Sequence, residues 1–332
     1  MKIIVYLFQL NLCLLLTVAM TLSAQAAKQH TEPEILITEM VQQHGFDKKY
    51  LEKLFAQVKI KQSILKAMRR PGEAKPWFEY RKLFVTPKQI RQGVAFYKQH
   101  QKALQAAERQ YGVPAPIIAA IIGVETRYGR NTGSYRVLDA LSTLAFHYPK
   151  RATFFRKELV EFLLLMQEIS MPPLTAKGSY AGAMGIGQFM PSSYRKYVVD
   201  FNGDGKRSIW EVNDAIGSVA NYLQAHGWQA GQAIIEATQV QSGTADALLA
   251  LGLKPKYNLT QLRKKGLLFS GKLPAKQKAS LVMLKTETGE AYWLALPNFY
   301  VITRYNHSRR YAMAVNQLAE NIDFQFHIQQ RF

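Results

Sequence analysis

The stretch IIAAIIGVETRYG, residues 117–129, runs eight apolar residues into a single acid, Glu125. On a helix Ile118, Ile121 and Ile122 share a face with Glu125, so the spacing puts this carboxylate on the stripe that should face the core. Burial disfavours its charged form, and a nearby helix C-terminus pushes the same way. Such a glutamate keeps its proton near neutral pH, as a general acid must. Periodicity alone equally allows Glu125 to end a core helix and pair with Arg127 or Arg130.

Two further segments carry chemistry-bearing residues. In GSYAGAMGIGQFMPSSY, residues 178–194, small residues let backbone approach a ligand and Gln188 supplies a donor and an acceptor. A tight helix-packing loop would look similar. In DFNGDG, residues 200–205, Asp200, Asn202 and Asp204 occupy positions 1, 3 and 5 of an EF-hand-like loop. Gly205 then takes the sharp turn and Lys206 offers its backbone carbonyl; a hydrated polar turn is the alternative. The generic spacing puts the closing acid at Glu211. The seven histidines are scattered, and no pair has zinc spacing.

These residues need elements to position them. Helical spacing recurs over 34–44, 48–55, 87–111 and 154–168, with Pro114 near a helix start. It is interrupted over 70–80 by two prolines and three aromatics, including Tyr80, and the pattern turns to Gly, Ala, Ser and Met over 171–191. A helix starting at Asp214 carries Ile216, Val219, Ala220 and Leu223 on one face and ends near Gly227. Residues 281–285 and 292–296 around a turn at 287–290 predict a β-hairpin within a β-rich segment, 241–300. A last amphipathic helix, 311–322, returns to the helical body. The predicted organisation is a signal peptide (1–26), a helical N-terminal domain (27–110), a catalytic core with the EF-hand-like loop (111–240), a small β-rich domain (241–300) and a C-terminal segment returning to the core (301–332).

The chain carries 43 basic and 23 acidic side chains, a formal net charge of +20. The basic residues are scattered and no nucleic-acid motif stands among them, so an anionic envelope polymer suits this charge better than nucleic acid. Lys2, the apolar run 3–22 and the Ala24-Gln25-Ala26 site read as a cleaved secretory signal, with a retained membrane anchor as the alternative. The only cysteine, Cys13, lies in that run, so the exported chain would have neither disulfide nor thiolate chemistry.

The order ETRYG, GAMGIGQFMPS and Asn221-Tyr222-Leu223 resembles the lysozyme-like lytic murein transglycosylases. With DFNGDG and RYNHS (304–308), the chain is most similar to the lytic murein transglycosylase B family, from about residue 32 onward and most densely over 123–228. The resemblance implies a mainly α (α+β) fold, with a lysozyme-like catalytic core, a helical N-terminal domain and a small β-rich insertion. It implies a glycosidic-bond lyase, exo- or endo-acting, that cleaves the MurNAc-β-1,4-GlcNAc bond of peptidoglycan and leaves 1,6-anhydro-MurNAc ends. A water-using muramidase and a catalytically idle murein-binding scaffold are the competing readings.

Carried over by position, Glu125 is the catalytic acid and then base. Ser179, Gln188, Phe189 and Met190 line the cleft, and Tyr222 hydrogen-bonds near the reacting sugar or Glu125. Tyr80, Tyr305, Asn306 and Tyr311 complete the sugar subsites. The cation-loop ligands would be Asp200, Asn202, Asp204, Lys206 and, on the resemblance, Asp214, holding a structural calcium; Asp214 could also cap its helix. Asp139 and Glu158 are the candidates for a distant second carboxylate. The implied setting is the periplasm, as a monomer on glycan strands, with envelope protein complexes as further partners.

Overall fold

The computed structural model describes residues 32–69 and 75–329; the signal segment and Cys13 lie outside them. Contacts divide the chain at Val58 into two compact units. In the first, α1 (Glu32–His44) buries Leu36, Ile37 and Met40 and α2 (Lys48–Phe55) buries Leu51 and Leu54. Asp47 fixes the start of α2 by accepting the Tyr50 N–H at 2.7 Å.

In the second unit α3 (Gln62–Met68), α4 (Trp77–Phe84), α5 (Pro87–Gln99) and α6 (Gln101–Tyr111) precede the central helix α7 (Ala115–Thr126). Next come α8 (Val137–His147), α9 (Ala152–Glu168), α10 (Pro191–Tyr197) and α11 (Val212–Ala225). A short pair, β1 (Tyr135–Arg136) with β2 (Lys177–Gly178), holds the start of the glycine-rich segment. After the sheet, α14 (Pro297–Tyr305) and α15 (Arg309–Ile328) return to pack on the helical body.

The sequence predicts a one-sided apolar stripe on α7, whereas only Pro116 and Glu125 of its residues escape full burial. A helix apolar all round is a core helix, and α5, α6, α11 and α15 surround this one. Glu125 therefore sits where the buried rod reaches the surface.

The single helix expected over 87–111 is two. His100 leaves helical geometry (φ −113°, ψ 23°), which lets α5 pack on α15 while α6 packs on α11.

The sheet has five antiparallel strands in the order β4-β6-β7-β3-β5. They are β3 (Ile235–Val240), β4 (Tyr257–Asn258), β5 (Leu267–Leu268), β6 (Lys278–Thr286) and β7 (Gly289–Ala295), with short helices α12 (Ala245–Leu249) and α13 (Leu259–Arg263) between. The β6–β7 hairpin has Leu281 opposite Leu294 and closes at Thr286–Gly289. Leu248, Leu259, Leu262, Phe269, Leu281 and Leu294 form its own apolar core. The sheet begins ahead of residue 241, because Ile235–Thr238 pair with Tyr292–Ala295. No residue of β3 is fully buried, so the strand lacks the apolar alternation that would mark it in sequence. At the other end the chain is already helical from Pro297, before the expected boundary at 300.

Candidate active site

Glu125 occupies the last turn of α7. Arg127, Tyr128 and Gly129 then take left-handed backbone conformations (φ 51°, 62° and 80°), which turn the chain sharply away. Thr126, fully buried, secures that turn. Its hydroxyl lies 3.1 Å from the Ile122 carbonyl and 2.9 Å from the Ile186 carbonyl, to one of which it donates, and it accepts the Gly129 N–H at 3.0 Å. Helix α7 is thus tied to the glycine-rich loop. In sequence Thr126 is only the residue after Glu125, and nothing local marks the two carbonyls its hydroxyl meets.

The loop folds on itself. Met184 and Phe189 bridge, and the Ser179 hydroxyl accepts the Ala183 N–H at 3.1 Å. Gly185 has φ 68°, and a Cβ there would lie 2.4 Å from Ile209 Cγ2 and 2.6 Å from its carbonyl oxygen. The small residue at 185 therefore serves the close approach of two protein segments rather than of a ligand; Ile186 donates to that same carbonyl at 2.9 Å. Gln188, also left-handed (φ 52°), donates both amide hydrogens, to Thr132 O at 3.1 Å and Gly185 O at 2.9 Å. What it offers a ligand is its carbonyl oxygen.

The C-terminal helices bring the tyrosines. The Tyr311 hydroxyl donates to Glu125 Oε1 at 2.6 Å, and Tyr305 donates to the Gly187 carbonyl at 2.6 Å. Tyr222 does not bond Glu125: its hydroxyl donates to the Arg304 carbonyl at 2.6 Å. Its ring lies 5.7 Å from Phe189 and 4.9 Å from Tyr305. Tyr222 and the nearly inaccessible Phe189 thus form a ring cluster supporting Tyr305, not an open face for a sugar.

Tyr80 on α4 is also buried, between Trp77 and Phe84, with the Arg310 guanidinium 5.9 Å from its ring centre. Ser179, Gln188, Met190, Tyr305 and Asn306 keep partial exposure, and the Asn306 carbonyl accepts the Ser308 N–H at 2.7 Å.

The Glu125 pKa is raised from 4.5 to about 7: burial pushes it up, and the hydrogen bond from Tyr311 offsets part of that push. Neither Arg127 nor Arg130, both exposed, forms an ion pair with Glu125. The Tyr305 and Tyr311 hydroxyls are pushed well above their usual range by burial first and by the Glu125 charge next, so they remain donors. Tyr311→Phe removes a donor to the carboxylate and should raise the Glu125 pKa further. The alkaline limb of the pH–rate profile is then expected to move to higher pH; an unmoved limb would refute this role for the hydroxyl.

The second carboxylates considered from sequence are engaged elsewhere. Asp139 pairs with Arg136 at 2.7 Å and accepts the Lys59 N–H at 3.0 Å. Glu158 accepts the backbone N–H and hydroxyl of Ser192 at 3.0 and 2.7 Å, fixing the start of α10.

In the loop after α10, Asp200 accepts N–H groups from Gly203, Asp204 and Gly205, and Asn202 and Asp204 are hydrogen-bonded to each other. Asp204 also accepts the Lys206 N–H at 2.8 Å. Asp214, 1 % exposed, accepts from Phe201 and Ser208 at 2.8 Å each, so it draws both ends of the loop together. Glu211, not Asp214, caps α11, accepting the Asp214 N–H at 2.9 Å. Among the described residues no three His, Cys, Asp or Glu side chains gather as a metal site. The donors available here are all oxygens, with Asn202 and the Lys206 carbonyl alongside the acids, a set that fits a hard cation and not zinc.

Residues 29–320 match the transglycosylase SLT domain family. The chain is 48 % identical over 296 residues to membrane-bound lytic murein transglycosylase B of Escherichia coli K12, covering 86 % of this chain and 81 % of that protein. Soluble lytic transglycosylase SltB1 from Pseudomonas aeruginosa superposes with a TM-score of 0.82 at 51 % identity, over 86 % of this chain and 96 % of that one. The Escherichia coli lytic transglycosylase Slt35, solved in complex with calcium, gives a TM-score of 0.81 at 47 % identity, over 90 % and 94 %. With the matched family spanning nearly all the described residues, this chain belongs to the lytic murein transglycosylase B family.

Proposed function

We propose that this protein cleaves the MurNAc-β-1,4-GlcNAc bond of peptidoglycan without water, using Glu125 for both proton transfers. The observation that carries the reading is a single half-buried carboxylate whose pKa stands at about 7, with the other candidate acids committed to structural bonds. Hydrolytic glycosidases ordinarily need a second carboxylate to activate water or attack the sugar.

Protonated Glu125 gives its proton to the glycosidic oxygen as the bond to the muramoyl anomeric carbon breaks. The substrate's own N-acetyl carbonyl stabilises the positive charge at that carbon. Glu125, now a carboxylate, takes the proton from the muramoyl C6 hydroxyl, whose oxygen closes the 1,6-anhydro ring. One proton leaves Glu125 and one returns, and no water is consumed. Tyr311 steadies the carboxylate between the two steps, while Gln188 and Asn306 would position the sugars. Mass spectrometry of digested murein tests the outcome, since anhydro ends are lighter than reducing ends by one water.

The loop formed by Asp200, Asn202, Asp204, the Lys206 carbonyl and Asp214 would hold calcium, which ties the loop together and takes no part in the reaction. Calcium is expected to raise the thermal midpoint by binding only the folded loop, and Asp200→Ala to abolish the response; a melting curve indifferent to chelator would refute the site. The protein is exported and works in the periplasm. No helix among the described residues is long and apolar enough to cross a membrane.

A further inference from the structure

We propose that the cleft between the N-terminus of α15, the start of α4 and strand β6 binds carboxylates of the peptide stem carried by the muramoyl sugar. The proposal rests on the function above and assigns a second recognition site to it. The cleft encloses about 350 Å³; Trp77, Met283 and Leu284 form an apolar wall, and Lys285, Arg309 and Arg310 line it with positive charge.

None of these three cations pairs with an acid among the described residues. Among the described residues of the surrounding segments, Glu79 pairs with Lys75 and Glu287 with Lys82, while Glu290, opposite Lys285 in the ladder, accepts the Tyr292 hydroxyl at 2.6 Å. The cations lining the cleft therefore outnumber its acids. Arg309 and Arg310 also open the longest helix of the fold, whose first turn contains no acid. Cations beside the positive end of a helix dipole are unfavourable, and a sequence that breaks this rule marks a place where something else is gained. An anion resting there would relieve the repulsion.

Arg310 has unused bonding capacity. One Nη donates to the Lys75 carbonyl at 2.7 Å, whereas its Nε, shielded from water, has no acceptor. Carboxylates are the groups that a guanidinium fork matches best. Uncharged sugar rings would not call for three unpaired cations.

Position selects the peptide stem as the source of the carboxylate. Arg310 is followed directly by Tyr311, which holds Glu125, and its guanidinium lies over Tyr80. The cleft thus lies one residue along α15 from the tyrosine that holds Glu125, on the side where α4 and α15 meet. A muramoyl residue bound for cleavage carries its peptide from the lactyl group, and that peptide alternates acidic side chains with alanyl methyls. Both surfaces of the cleft suit it: the cations for the carboxylates, Trp77, Met283 and Leu284 for the methyls.

The test compares glycan strands bearing stem peptides with the same strands stripped of them by an amidase, using wild type and the double variant Lys285→Gln/Arg309→Gln. The double variant should lose roughly tenfold or more in kcat/KM on peptide-bearing strands, the scale of a charge-assisted hydrogen bond, and turn over naked strands as wild type does. Equal losses on both substrates, or none on either, would overturn the proposal. Failure of wild type to cut either substrate would instead refute the enzymatic reading. Binding then decides the matter: a free acidic tetrapeptide stem, titrated by calorimetry, should bind wild type and neither bind the double variant nor bind once its carboxylates are amidated. Absence of binding to wild type, or unchanged binding in the double variant or after amidation, would also overturn it.

Discussion

Glu125→Gln is expected to cut turnover on purified murein by at least about 10²–10⁴-fold, the typical worth of general acid catalysis. The side chain keeps its size and can still accept the Tyr311 hydroxyl, so folding should survive. In the proposed mechanism Glu125 serves both steps, so no second group takes over either transfer. Loss of turbidity, followed beside a wild-type control, reads the effect. Retention of more than about a tenth of wild-type activity would reject the assignment, given the range expected for a lost general acid.

The largest expected effect on stability lies away from the reacting centre. Asp214→Ala should cost about 2–4 kcal/mol, because the partly buried amides of Phe201 and Ser208 lose this buried acceptor at once. Urea denaturation in the presence of chelator separates this anchoring role from any metal. Activity should fall as well. Ile209 in the same loop accepts from Ile186, and Ile186 in turn is held by Thr126 next to Glu125. A denaturation midpoint equal to that of wild type would show that the loop closes without Asp214.

The difference between what was legible in sequence and what was not has physical causes. Glu125 was visible because an acid at the end of eight apolar residues breaks a local pattern. Its partner was not: Tyr311 lies 186 residues away along the chain, and a tyrosine on an amphipathic helix carries no mark of the carboxylate it will meet. The family motifs single out both Tyr222 and Tyr311, but only the fold decides which hydroxyl reaches Glu125: Tyr311 does, while Tyr222 bonds the Arg304 carbonyl. Likewise the spacing of the cation loop points to Glu211 as its closing acid and the family resemblance to Asp214. The turn into α11 gives the cap to Glu211 and the buried position to Asp214.

Secondary structure followed the same division. The β6–β7 hairpin carries strong apolar patterning on both strands and is plain in sequence. Strand β3 has mixed exposure and becomes a strand through pairing with β7. His100 is neither glycine nor proline, so nothing local announces that α5 and α6 part there to meet different partners.

The central claim is that one carboxylate moves both protons and water never reaches the anomeric carbon. Digestion of murein in heavy-oxygen water tests it most directly. The account predicts 1,6-anhydro ends that carry no solvent oxygen. Heavy oxygen at most new muramoyl ends would contradict it and make the protein a hydrolase.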